Sequence, residues 1–143
     1  MRLLSSTDFA LRVLMALGQR SVGETVTVET LARSLGGLSH NHLHKIVQDL
    51  AALGIVKTIR GARGGVTMAK APRAVRIGAL IRALESDQPL VECFRADHGR
   101  CTLNPGCRLR PMLRKARERF YETLDDFTLD DCIAGPGRRA ILA

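Results

Sequence analysis

Apolar residues recur at helical spacing through most of this 143-residue chain, and the places where that period breaks mark out its elements. Phe9, Val13, Ala16 and Leu17 share one face, which predicts a first helix over 6–20. Ser5-x-x-Asp8 ahead of it has the form of a capping box. A second, short helix fits Val28–Leu35, with Thr27 as N-cap and Gly36-Gly37 as its stop. Ser39 then caps a third helix, whose positions Leu43, Ile46, Val47, Leu50 and Leu53 form one stripe ending at Gly54. The period changes at Ile55–Ile59, a β-branched run that reads as a strand. A basic, glycine-rich loop, Arg60–Gly65, leads into a returning strand at Val66–Ala69.

Two helices joined by the short turn GGLS, followed by strand, basic turn and strand, is the order of a winged helix-turn-helix. Beyond it the helical period resumes at 76–85. A polar, cysteine-bearing loop follows, and Pro111 is placed to open a long helix running to Asp125. That helix shows an apolar stripe of Met112, Ala116, Phe120 and Leu124, flanked by Leu113. A single helix cannot bury such a stripe alone, so a partner subunit is its natural cover. Thr128-x-x-Asp131 caps a short last helix, and the tail after Gly135 is expected to fray. The predicted fold is therefore mainly α with a small β wing. A winged helix-turn-helix domain spans 1–76, and 77–143 holds a cysteine loop at about 90–108, a dimerisation helix at about 109–126 and a short C-terminal helix.

Charge sharpens this picture. The chain carries a net +8, which favours a polyanionic partner, nucleic acid being the usual one. Residues 1–76 hold eleven Lys/Arg against four Asp/Glu, whereas 77–143 are nearly balanced, so the front part is the DNA-facing one. Only five residues are aromatic, too few for a base-stacking single-strand binder. No apolar run reaches membrane-spanning length. Asp8 and Arg12 interrupt the N-terminal apolar stretch, against a signal peptide and for a cytoplasmic protein. No nucleophile–base pair or phosphate loop marks an enzyme.

The polar face of the third helix offers Ser39, His40, Asn41, His44, Lys45 and Gln48. Its N-terminal residues are placed to reach base edges in a major groove of double-stranded DNA, where Asn and Gln read adenine and Lys reaches guanine or phosphate. A solvated helix face would look the same in isolation. The wing shifts the balance, because six basic residues and no acidic one lie from Lys57 to Arg76. Arg60 and Arg63 sit at a hairpin tip suited to a narrow minor groove.

The remaining chemistry is concentrated in VECFRADHGRCTLNPGC, where Cys93, Cys101 and Cys107 fall within fifteen residues. Three thiols in one polar loop are not the pattern of inert cysteines. Structural zinc would show paired CxxC or Cys/His spacing, which is absent, although His98 could complete a Cys3His site. A thiol switch needs two cysteines and a cationic setting, which Arg95, Arg100 and Arg108 could provide. An iron–sulfur cluster takes soft thiolates and tolerates irregular spacing. Chemistry alone ranks the cluster only modestly above zinc.

The start LLSSTDFALRVLMAL, the helix SHNHLHKIVQDLAALG, the wing RGARGGVTMA and the three-cysteine loop resemble the Rrf2 family of winged-helix regulators along nearly the whole chain. The stretches NHLHKIVQDL, VRIGALIRALE and CRLRPMLRKA, with the loop CTLNPGCRL, are similar to its nitric-oxide-sensing members. The resemblance implies a homodimer with crossed long helices that represses transcription from pseudo-palindromic operator DNA. It implies an iron–sulfur cluster, [4Fe-4S] or [2Fe-2S], on Cys93, Cys101 and Cys107, whose nitrosylation releases the operator. The family's iron–sulfur assembly regulators place a histidine ligand three residues after the third cysteine, where this chain has Arg110. The fourth ligand must then come from elsewhere, with Asp8, His98, Glu85 and Cys132 as candidates. Cys132 reads as a packed cysteine, and His98 would strain the loop. Asp8, donated across the dimer, is the expected ligand, weak enough to open an iron to a gas.

Overall fold

The computed structural model describes residues 2–21, 23–36, 38–61, 64–97, 99–103 and 106–133. Its elements run α1 (Ser5–Gly18), α2 (Val28–Ser34), α3 (His40–Ala52), β1 (Val56–Ile59), β2 (Gly65–Met68), α4 (Ile77–Leu84), α5 (Leu109–Asp125) and α6 (Leu129–Ile133). The antiparallel pair β1–β2 has Val56 opposite Met68 and Ile59 opposite Gly65. Val26 exchanges two backbone hydrogen bonds with Val66, at 2.9 and 2.8 Å, and so anchors the wing to the segment before α2. The architecture is the winged helix-turn-helix with a long additional helix that the sequence pattern predicts. Among the described residues no helix is long and apolar enough to cross a membrane.

Local chemistry explains most of the boundaries. Thr27 accepts the Thr30 N–H at α2, and Ser39 accepts the His42 N–H at α3. Gly54, at φ 65°, takes the left-handed position that ends α3. At α6 the capping box is complete, since Asp131 accepts the Thr128 N–H at 2.7 Å and Thr128 accepts the Asp131 N–H at 3.4 Å.

The first helix departs from expectation. Its N-cap is Leu4, one residue before Ser5, and no side chain of α1 caps it. The Leu4 N–H instead donates to Glu85 at the end of α4, at 2.9 Å, and the buried Thr7 hydroxyl donates to the same carboxylate oxygen. Asp8, freed of the capping role, pairs with Arg12 at 2.7 Å.

The long helix begins at Leu109 rather than Pro111, because proline in a first turn forfeits no hydrogen bond. Its apolar stripe divides. Tyr121 is buried, and Phe120 and Leu124 pack on the chain's own core, which runs without interruption from α1 through Leu80 and Ile81 to Leu129. Only the N-terminal half stays uncovered, with Leu109 57% and Met112 64% exposed. A partner subunit is therefore not needed to cover the whole stripe. Leu53, assigned to the α3 stripe, is also exposed. α4 approaches α5 so closely at Gly78 that a Cβ there would collide with the Tyr121 carbonyl and the Asp125 carboxylate. The same carboxylate accepts the Ala79 N–H at 2.6 Å, which fixes α4 against α5 just before the cysteine loop.

Candidate nucleic-acid interface and thiol loop

α3 is anchored through Leu43, Ile46, Val47 and Leu50, all buried, so the opposite face must point outward. His40, Asn41, His44, Lys45 and Gln48 are all exposed there. Ser39 is exposed as well, but its oxygen is engaged in capping. His42 is also exposed, but at two residues from both His40 and His44 it points to the flank of the helix rather than along their face. Lys45 is not an isolated cation, because its ammonium lies 2.7 Å from Asp49 one turn on. A carboxylate beside Lys45 repels phosphate and narrows what that ammonium can contact.

On the wing, Arg60 is exposed at the end of β1, and Lys57 is exposed earlier in that strand. Arg63 lies outside the described residues. Lys70 and Arg73 extend the exposed basic surface. Arg76 is partly structural, donating to the Asp125 carbonyl at 3.0 Å.

The thiol loop leaves α4 at Glu85. A short 3-10 turn, Glu92–Phe94, buries Cys93, while Cys101 and Cys107 are half-buried. All four cysteines are free thiols. Glu92 accepts the Arg100 N–H at 2.8 Å, and Asp97 accepts the Gly99 N–H at 3.0 Å. Arg95 grips Asp97 through two bonds of 2.9 Å, so it serves the loop's own carboxylate rather than a thiol. That hydrogen bond, with the Gly99 N–H behind it, lowers the Asp97 carboxyl to about 2. His98 falls outside the described residues.

Cys132 is exposed, not packed, because α6 turns Leu129 and Ile133 inward and leaves Cys132 at the edge of that buried face. Partial burial and then the Asp131 charge push its thiol up, which makes it a poorer thiolate donor than its exposure suggests.

Among the described residues, no three His, Cys, Asp or Glu side chains come together as a metal cage. The single chain thus gathers neither the three cysteines with one another nor Asp8 with them. Glu85 is occupied by Leu4 and Thr7, whereas Asp8, half-exposed on α1, pairs with the exposed Arg12. The donors nonetheless suit a thiophilic, negatively charged group in kind. Three free thiols share the loop, and on the adjoining α5 Arg110 and Arg117 each keep a buried Nε–H that finds no acceptor among the described residues. Donors left unsatisfied among the described residues suit an anionic acceptor.

Comparison with known proteins agrees with this architecture. The family model Rrf2, described as an iron-dependent transcriptional regulator, matches residues 3–135. A transcriptional regulator named NsrR from Bacillus licheniformis is 42% identical over 133 residues, 93% of this chain and 92% of the relative. A transcriptional repressor named NsrR from Streptomyces coelicolor is 38% identical over 136 residues, 95% of this chain and 90% of the relative. Among solved structures, CymR, the global cysteine regulator of B. subtilis, superposes with a TM-score of 0.71 at 25% identity, covering 92% of this chain and 95% of that one. The chain belongs to the Rrf2 family of transcriptional regulators, which are not enzymes, and it is similar along nearly its whole length to members named NsrR.

Proposed function

We propose that this protein is a cytoplasmic, homodimeric repressor whose hold on operator DNA depends on an iron–sulfur cluster and is relieved by nitric oxide. Cys93, Cys101 and Cys107 would hold the cluster, [4Fe-4S] or [2Fe-2S], with Asp8 contributed by the partner subunit. When bound, the cluster supplies iron at which nitric oxide can react. The rest belongs to the chain's own residues.

One observation carries the reading. Glu85, where the thiol loop begins, accepts hydrogen bonds from Leu4 and Thr7 in the first turn of α1, and α1 packs directly against α3. The loop and the recognition helix are therefore two contacts apart. A loop held at its cysteines fixes Glu85, Glu85 fixes the start of α1, and α1 sets the tilt of α3. A carboxylate ligand at Asp8 adds a second hold on α1, since Asp8 lies one residue after Thr7. Loosening either hold biases the dimer toward a different spacing of its two recognition helices, which a pseudo-palindrome reads as affinity. Coupling of this kind needs only a difference in loop state that favours one DNA-binding geometry.

Asp8→Ala tests the ligand assignment. Purified without oxygen, the variant is expected to show an altered cluster absorption spectrum and a shortened cluster lifetime, with its dimer mass unchanged. An unchanged spectrum together with an unchanged nitric oxide response would overturn the assignment. Colourless wild-type protein with stoichiometric zinc would replace the cluster by a zinc-structured loop.

A further inference from the structure

We infer that Phe94 is a latch, gripped by Arg114 and Arg117 of α5, that holds the Cys93 turn closed. The inference deepens the proposed function, because it assigns positioning residues to one of the thiols read there as a ligand.

Arg110, Arg114 and Arg117 are spaced four and three residues apart, so they line one face of α5. The Arg117 guanidinium carbon lies 4.9 Å from the Phe94 ring centroid, and that of Arg114 lies 5.9 Å from it. Both distances are those of cation–π contact. The grip is itself braced. Arg117 reaches Glu118 at 3.4 Å, Glu118 pairs with Arg82 of α4, and the Arg82 guanidinium sits 4.7 Å over the buried ring of Tyr121. Hydrogen bonding from Arg82 chiefly, then its charge, lowers the Glu118 carboxyl and keeps that link ionised. An alternating series of rings, guanidinium groups and one carboxylate thus joins the thiol loop to the core between α4 and α5.

The consequence falls on Cys93. Its turn is only three residues long, Glu92–Phe94, and makes one backbone hydrogen bond at each end, Phe94 N–H to Val91 and Arg95 N–H to Glu92. So small a turn has little stability of its own. Phe94 is its one aromatic anchor, and displacing that ring would carry the neighbouring thiol outward. The latch therefore keeps Cys93 placed without any bound group, and a ligand-bearing loop can close on a thiol already positioned.

The test uses the full-length, metal-free protein under reducing conditions. N-ethylmaleimide alkylation is followed at each cysteine by peptide mass spectrometry, with the exposed Cys132 as internal reference. Cys93 is expected to react slowest of the four. Phe94→Leu, which keeps every charge, is expected to raise the Cys93 rate relative to Cys132 about tenfold, the scale of two partly desolvated cation–π contacts. Arg117→Met is expected to accelerate it similarly, although losing a cation beside a thiol would by itself slow alkylation. Acceleration therefore reports release of the turn. The double variant should be no faster than the faster single variant, and Arg117→Lys should fall between wild type and Arg117→Met. Unchanged Cys93 rates in both single variants would overturn the latch, and so would a double variant whose effects multiply. The cluster reading stands or falls separately, on iron and sulfide in wild-type protein purified without oxygen.

Discussion

Replacing Cys93, Cys101 or Cys107 by alanine, one at a time, is expected to abolish retention of iron and sulfide in protein purified without oxygen, while Cys132→Ala retains the wild-type content. The difference follows from position. The first three thiols share the loop that starts at Glu85, and two of them are half-buried while the third is buried. Cys132 is exposed on α6, apart from that loop, and its thiol is pushed up by partial burial and by Asp131. A cluster that loses one of three thiolates loses its strongest bonds, and an oxygen ligand does not substitute for soft sulfur. The loop variants should also lose operator affinity, by at least about tenfold if the coupling lies in the usual range of 1–3 kcal/mol. They should keep the wild-type helical content, because only Cys93 of the three is buried. Iron and sulfide analysis beside circular dichroism checks both halves of the expectation.

The second large effect belongs to the protein–DNA contact. Arg60→Ala is expected to weaken operator binding about tenfold to a hundredfold, the value of one well-placed arginine, and to lower the salt slope by about one. Arg60 is exposed on the wing. Arg119→Ala is the control, since Arg119 pairs with Glu122 on the outer side of α5, and it should leave affinity unchanged. Asn41→Ala should act differently from Arg60→Ala. Asn41 lies in the first turn of α3 with its side chain exposed, where it can read a base edge, so its loss should reduce discrimination between operator and unrelated DNA more than it reduces the salt slope. Titrations at three salt concentrations on specific and unrelated duplexes separate the two roles.

Much of this was legible in the chain because it is local. The α3 stripe, the Ser39 and Thr27 caps and the Thr128–Asp131 box depend on residues three or four apart, and spacing of that kind is visible in a sequence. The outward-facing side chains of α3 follow by elimination once the buried stripe is known. What escaped is long-range. The partner of the α1 N-terminus is Glu85, 81 residues from Leu4, and no periodicity announces it. The same separation misled the reading of Asp8, which looked like a cap because Ser5 stood at the right distance. The contact of Arg114 and Arg117 with Phe94 was hidden for the same reason, since it joins α5 to the far end of the thiol loop. The divided stripe of α5 shows the reverse error. Phe120 and Leu124 pack on the chain's own core, a long-range contact that the spacing along α5 does not reveal. Exposed Leu109 and Met112 keep a second subunit as the natural cover for the remaining half.

Release of DNA by nitric oxide is tested by the operator affinity of the cluster-loaded protein, measured without oxygen at one fixed salt concentration, before and after addition of nitric oxide. Tight binding is expected before, and a loss of at least about tenfold after, in step with the change in cluster absorption. Equal affinity in the two states, with the cluster fully reacted, would contradict it.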